Sequence, residues 1–168
     1  MILKTERLTL RPQEQSDAAA LFAILGDPDA MRFWNRPALA HLAMAHDLIA
    51  EQQAAVESGL CRYWTVLETG DAIGSVDLSL IQDGGAELGF LFRRDRWGLG
   101  LASEAVAAVV AQAFGPMRLT HLAAGAVADN RAAIRVLEKA GFGRVKQARV
   151  RLAGGALASC AFYAQNRG

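Results

Sequence analysis

Lysine is nearly missing from this chain of 168 residues: Lys4, Lys139 and Lys146 are the only ones, and arginine supplies the rest of the 18 basic side chains. A Walker-type phosphate loop needs Gly-Lys-Ser/Thr, so the empty interval between Lys4 and Lys139 excludes it. An excess of one charge is missing too. The 17 acidic residues leave a formal net charge of +1, which argues against a basic nucleic-acid arm, an acidic tail or a DNA partner. The longest apolar stretch, Ala105–Phe114, is broken by Gln112 and falls short of the roughly 20 residues of a membrane span, so no membrane partner is expected. The opening MILKTERLTLRP holds no apolar core of a secretory signal. Cys61 and Cys160 show no metal or redox spacing, nor do His41, His46 and His121 show ligand spacing. Buried free thiols, a cytoplasmic setting and no metal are the expectations. No linker, repeat or low-complexity tract is visible. What is present is a globular composition, 52% hydrophobic and 21% charged, at a length that suits one domain over residues 1–168.

The pattern along the chain predicts a mixed α/β fold. Leu3–Arg11 alternates as a half-buried strand that Pro12 ends. Helical spacing follows over Ala18–Leu25, stopped by Gly26-Asp27-Pro28, and again from about Leu39 to Glu57. Strands are expected over Tyr63–Glu68, Ala72–Ile81 (with Val76, Leu78 and Leu80 sharing a face) and Ala86–Phe92. A helix over Ser103–Phe114, a strand over Leu119–Val127, a helix over Asn130–Ala140 and two closing strands near Arg144–Leu152 and Leu157–Gln165 complete the order. Antiparallel runs followed by alternating units suggest one mixed sheet with helices on both faces. The helix at Ser103–Phe114 would join two parallel strands by a right-handed crossover.

The segment Gly89–Glu104, GFLFRRDRWGLGLASE, carries the chemistry. A buried strand runs into a glycine-bearing loop that opens a helix. Gly98 and Gly100 permit a tight turn and close approach of backbone to a ligand. The first-turn amides of the helix have no intrahelical acceptor and lie at its positive end, where phosphate is attracted. Arg93, Arg94 and Arg96 flank the loop and could add charge-assisted contacts. A dinucleotide fingerprint fits poorly, because Arg93–Trp97 separate strand from glycine and Met117–Ala128 contains no acid. On these residues alone, a phosphate cradle and a helix start whose glycines serve packing both stand.

Three motifs together resemble the GCN5-related N-acetyltransferase (GNAT) superfamily, in its branch of ribosomal-protein N-terminal acetyltransferases. Trp97-Gly98-Leu99-Gly100-Leu101-Ala102 fits the signature Gln/Arg-Gly-x-Gly-x-Gly/Ala except at its first position, where Trp resembles this branch. Asn130, Glu138, Lys139, Gly141 and Phe142 match a second signature, and Thr5-Glu6-Arg7-Leu8-Thr9-Leu10-Arg11-Pro12 with Asp17 a third. The resemblance implies a mostly antiparallel mixed sheet with a splayed parallel strand pair, and acetyl-coenzyme A as co-substrate. Leu91 and Phe92 would bond the pantetheine arm through their backbone, Gly98–Ser103 would hold the pyrophosphate, and Asn130 would touch the cofactor from the other side. The Phe92 N–H would stabilise the oxyanion of an acyl transfer to an amine.

The sequence departs from the family at Ala133, often Ser, and at Leu137, often a proton-donating Tyr. Two acids are candidates for the general base, Glu87 as the first choice and Asp77 as the second. Glu87 lies on the strand before the loop, one position later than the glutamate of some relatives, so alternation turns it to the other face unless a bulge intervenes. Asp77 is the other, since acids are depleted from strand interiors. Either also reads as a solvated or ion-paired strand residue. Trp34, Asn35 and Arg36 fall where relatives line the acceptor site, though Phe33 and Trp34 equally suit packing of helix on sheet. The expected activity is acetyl transfer to a primary amine, a protein N-terminus or a small molecule, by direct attack without a covalent enzyme intermediate. The alternative is a non-catalytic acyl-CoA sensor, and a homodimer through the closing strands is a further expectation.

Overall fold

The alternation at the start of the chain is interrupted by a turn. In the computed structural model, which describes all 168 residues, the Thr5 hydroxyl accepts from the Leu8 amide at 3.0 Å and splits the segment into β1 (Leu3–Lys4) and β2 (Leu8–Pro12). Helices α1 (Ala18–Leu25), α2 (Pro28–Met31) and α3 (Leu42–Glu57) come next. Strands β3 (Arg62–Glu68), β4 (Asp71–Gln82) and β5 (Gly85–Phe92) form a meander. Then α4 (Leu101–Phe114), β6 (His121–Val127), α5 (Arg131–Lys139), β7 (Gly143–Arg151) and β8 (Leu157–Asn166) follow.

All eight strands form one sheet in the order β1-β2-β3-β4-β5-β6-β8-β7. Every neighbouring pair is antiparallel except β5 and β6. The helix α4 makes the crossover between these two parallel strands, as the sequence pattern predicts. Period-two alternation sorts the side chains between two cores. Leu10, Val66, Val76, Leu78, Leu88 and Phe92 face α4 and α5, where Val106, Val109 and Leu137 are buried. On the opposite face, Leu21, Leu25, Ala45 and Ile49 of α1 and α3 make a smaller core that Leu91 of β5 joins. Helices thus cover both faces of the central strands.

Three details differ from the sequence pattern. Leu80 was expected on the buried face with Val76 and Leu78, yet it is 63% exposed. A bulge between Ser79 and Gln82 puts Leu80 in the left-handed region, at φ 51°, and turns it outward. The helix α3 begins at Leu42 rather than near Leu39, because the Leu39 amide donates to Leu25 O at 2.8 Å in an extended link. The segment Gly26-Asp27-Pro28 stops α1 and also starts α2, since Asp27 caps the Asp29 amide at 2.9 Å and Pro28 occupies the first turn. Both thiols are free; Cys160 is buried and Cys61 partly so.

One buried ionic network ties β2, the start of α1 and β3 together. Asp17, 4% exposed, accepts from Arg11 Nη1 and Nη2 at 2.8 and 2.6 Å, from Thr65 Oγ1 at 2.6 Å and from the Glu14 amide at 2.9 Å. Burial alone would raise its pKa, but these donors outweigh burial and hold the carboxyl below its ordinary value. Its contribution to stability is therefore present above the pKa of the unfolded carboxyl and lost as pH falls through the lower folded value. Asp17→Ala leaves Arg11 and Thr65 without their partner and is expected to cost about 3 kcal/mol in urea unfolding at pH 7, with the difference from the parent shrinking below about pH 4.

Candidate active site

The strands β5 and β6 stay in register only for Gly85, Ala86 and Glu87, opposite His121, Leu122 and Ala123. Beyond that they part, and β6 pairs onward only with β8. On its other side β5 remains paired with β4 to its end. The Arg93 amide donates to Ile73 O at 2.8 Å, which makes Ile73 and Arg93 a hydrogen-bonded pair. By the antiparallel alternation, Leu91 and Gly89 then turn their amides to β4, while Phe90 and Phe92 turn theirs to the gap. Phe90 therefore takes the place that the resemblance gave to the Leu91 backbone. The Leu91 side chain lines the cleft all the same.

The gap opens into a cleft of about 590 Å³ between β5, the following loop, α4 and α5. Phe92, Trp97, Gly98, Gly100, Leu101, Ala102, Ser103 and Asn130 all line it. Leu99 does not: its side chain is 54% exposed and its carbonyl turns away. The Trp97 indole donates to Phe92 O at 2.8 Å and so closes the end of β5. Gly98 and Gly100 have φ of 77° and 80°, a region open to glycine at little cost. A Cβ on Gly98 would meet nothing within 4 Å, so the space before the loop is open.

The amides of Gly98, Leu99, Gly100, Leu101, Ala102 and Ser103 find no acceptor within the protein; the first bond of α4 is Glu104 N to Gly100 O at 3.1 Å. The loop is fastened from beneath. Arg7 donates through Nη1 to Leu99 O at 3.0 Å and through Nε to Glu104 at 2.7 Å, and its own amide bonds Glu104 at 2.9 Å. Thr5 adds a bond to the same carboxylate at 2.6 Å. The Thr5-Glu6-Arg7 motif of the opening segment thus binds the first turn of α4.

The arginines expected to flank a phosphate have other partners. Arg93 pairs with Asp71 and Asp95, Arg94 with Asp27 and Asp29, and Arg96 with Glu68 and Asp95. The cations that border the cleft without a carboxylate partner are Arg32, at the end of α2, and Arg131, Arg135 and Lys139 on α5; the last three line the loop side. The spacing of four residues places these three in one row along the helix, a signal readable in the sequence. Asn130 caps α5, its Oδ1 accepting from Ala133 N at 3.1 Å, which leaves its amide donors free at the cleft. Leu137 is fully buried in the core, so that position does not face the cleft.

Asp77 and Glu87 do not line the cleft, but they share the sheet face of Leu91. Register places Asp77 opposite Gly89 and Ser79 opposite Glu87. The bulge on β4 follows Ser79, so nothing reverses Glu87, which is exposed. Asp77 accepts no hydrogen bond from the protein, and a Cβ on Gly89 would lie 2.6 Å from its Oδ1. Burial, then the charge of Glu87, raises the Asp77 pKa to about 7. Burial and Asp77 also push the neighbouring Tyr63 phenol up, while Arg36 acts the opposite way. Trp34 lines the main cleft; Arg36 lines a second, adjoining hollow, and Asn35 is exposed and lines neither.

A cleft that exposes strand amides, ends at an open helix start and is bordered by cations defines a class of protein that holds an extended phosphorylated ligand. A family model described as an acetyltransferase (GNAT) domain matches residues 7–143. An uncharacterized N-acetyltransferase, p20 of Bacillus licheniformis, is 31% identical over 144 residues, 83% of this chain and 81% of its own. The crystal structure of a GNAT-family acetyltransferase from Bacillus anthracis superposes with a TM-score of 0.89 at 22% identity, covering 99% of both chains. RimL, the ribosomal L7/L12 alpha-N-protein acetyltransferase solved with coenzyme A, gives 0.88 at 15% identity over 99% of this chain and 98% of its own. The chain belongs to the GNAT acetyltransferase family. Its activity is that of an acetyl-CoA-dependent N-acetyltransferase, and the free amides and open loop fit that co-substrate.

Arg7→Ala releases both Leu99 O and Glu104 without touching the cleft. Its dissociation constant for coenzyme A in calorimetry is expected to rise about tenfold, while Arg7→Lys, which keeps the charge but not the fork, recovers only part of it.

Proposed function

We propose that the acceptor is an α-amine, with a protein N-terminus as first candidate and a small-molecule amine as second, and that Asp77 is the base. One observation supports this most directly: a half-buried carboxyl without a partner, held near pKa 7, on the sheet face next to the gap. A base of that strength suits an α-amine of pKa about 8 better than a lysine of about 10.4. RimL is named for α-amine acetylation, which accords with the reading. No helix is long and apolar enough to cross a membrane, and two free thiols suit a reducing cytoplasm. Residues 1–168 are read as one domain, since a single sheet takes strands from Leu3 to Asn166.

Acetyl-CoA supplies the thioester that the amine attacks directly. Phe90 and Phe92 would pair with the pantetheine arm through their gap-facing backbone groups, in place of a neighbouring strand. The amides of Gly98–Ser103 would take the diphosphate. Arg131, Arg135 and Lys139 would border the nucleotide end. The Phe92 N–H would donate to the carbonyl oxygen as it gains charge. Asp77 would accept the proton the amine sheds as the C–N bond forms. The C–S bond breaks to a thiolate, and with Leu137 buried, water protonates it; a thiol of pKa about 8.5 needs no dedicated acid. Burial raises the Cys160 thiol, which argues against a cysteine nucleophile.

Because the base must be ionised, kcat/KM expressed on the neutral amine should rise with pH through about 7 and then level. Asp77→Asn should lower it about 10- to 100-fold and abolish that limb, whereas Glu87→Gln should only shift the limb to lower pH. The raised pKa also means that the parent loses stability as pH climbs from about 4 to about 7. Asp77→Asn should therefore be the more stable protein at pH 8 by thermal unfolding. Tight coenzyme binding without thiol release from any amine would instead indicate a sensor.

Arg135→Glu should weaken coenzyme A binding about tenfold. The loss should be smaller for the 3′-dephospho form and smaller in high salt, as calorimetry with the two ligands would read.

A further inference from the structure

Beside the main cleft lies a second hollow of about 260 Å³, lined by Arg32, Trp34, Arg36 and the tip of the β7–β8 hairpin at Leu152–Gly154. Arg32 and Trp34 belong to both spaces, so the two adjoin. The hairpin tip is attached there: the Ala153 amide donates to Trp34 O at 3.4 Å. The nearby acids of α2 are already taken. Asp27 and Asp29 both pair with Arg94 on the far side of the loop. Arg32 and Arg36 have no carboxylate partner, and Arg32 lies over the Phe33 ring at 4.4 Å, which restricts its guanidinium. Such unpaired arginines in a hollow call for an anion, and their planar forks suit carboxylate or phosphate. Tyr63 stands within electrostatic reach of both Arg36 and Asp77, which joins the hollow to the proposed base.

We infer that the hollow is an anion subsite for the acceptor, so that the preferred substrate carries a side-chain carboxylate on the residue that bears its reactive α-amine or on the next one. The inference rests on Asp77 marking the place of the amine. Amine at the carboxyl group and anion at the arginines make a two-point recognition that fixes which end of the acceptor meets the thioester. A free acidic amino acid and a peptide with an acidic side chain near its N-terminus present the same chemistry.

The test measures thiol release from acetyl-CoA with four acceptors: glutamate, glutamine, and two peptides that differ only in Glu or Gln at the second position. Each acidic acceptor is expected to show a kcat/KM at least tenfold above its neutral partner. Arg36→Ala should remove that difference through KM, with kcat at saturation unchanged within twofold and with coenzyme A affinity intact; Arg36→Lys should restore part of it. A preference shown by the peptides alone, or by the amino acids alone, tells which source the hollow serves and upholds the subsite. Equal use of acidic and neutral acceptors by the parent overturns the subsite and leaves the transferase reading standing. No thiol release with any of the four, in protein that binds coenzyme A, overturns both.

Discussion

A central strand of a sheet cannot leave its amides bare unless something other than protein is meant to meet them, because each unpaired buried group carries a cost of about 1–3 kcal/mol. The parting of β5 from β6 after Glu87 is therefore the constraint from which the site follows. It gives the cleft its floor, it aims the Phe90 and Phe92 backbone outward, and it delivers the chain to Gly98 at an angle that points α4 at the ligand. The opening is held by two strands that do not splay. On one side β4 keeps its register with β5 as far as Phe92, and on the other β8 pairs β6 through Val127. Each partner thus stays fixed to a neighbour while the two separate from each other.

Rigidity of the open loop has a similar source. The helix α4 exposes donors at its first turn, so the loop cannot be fastened through them without losing the cradle. The chain fastens it through acceptors and side chains instead: Leu99 O to Arg7, Glu104 to Arg7 and Thr5, Phe92 O to Trp97. Burial acts against the charge on Glu104, but the Thr5 and Arg7 donors outweigh it and hold its carboxyl below the ordinary range. Every donor that a diphosphate would need is left free.

How much of this the sequence reveals depends on how far apart the partners lie. The glycine loop, its helix and the crossover are legible because they need only neighbouring residues. Arg93, Arg94 and Arg96 are misleading for the opposite reason: adjacent to the loop in sequence, they find Asp71, Asp27, Asp29 and Glu68 from other elements. The row Arg131, Arg135, Lys139 was readable from its spacing but lies far from the motif that draws attention. Leu80 fails the alternation because a bulge, which has no reliable composition signal, reverses it. The choice between Asp77 and Glu87 was beyond reach of sequence, since it turns on which residue each one opposes across the sheet.

That choice is also where packing and chemistry meet. Asp77 and Glu87 are both carboxylates on one face, a residue pair apart along the ladder, yet only Asp77 sits among Tyr63, Gly89 and the sheet with no donor to stabilise its charge. The charge of nearby Glu87 adds to the cost of ionising Asp77. Gly89 permits the arrangement, because any side chain there would occupy the space of the carboxylate. A solvated acid thus tunes a half-buried one, and a missing side chain makes room for it. The same comparison separates the proposed base from a structural ion pair. Asp17, with Arg11, Thr65 and a backbone amide around it, is driven to stay charged and holds the fold. Asp77, with none of these, has its pKa raised to about 7, as the proposed abstraction from an amine requires.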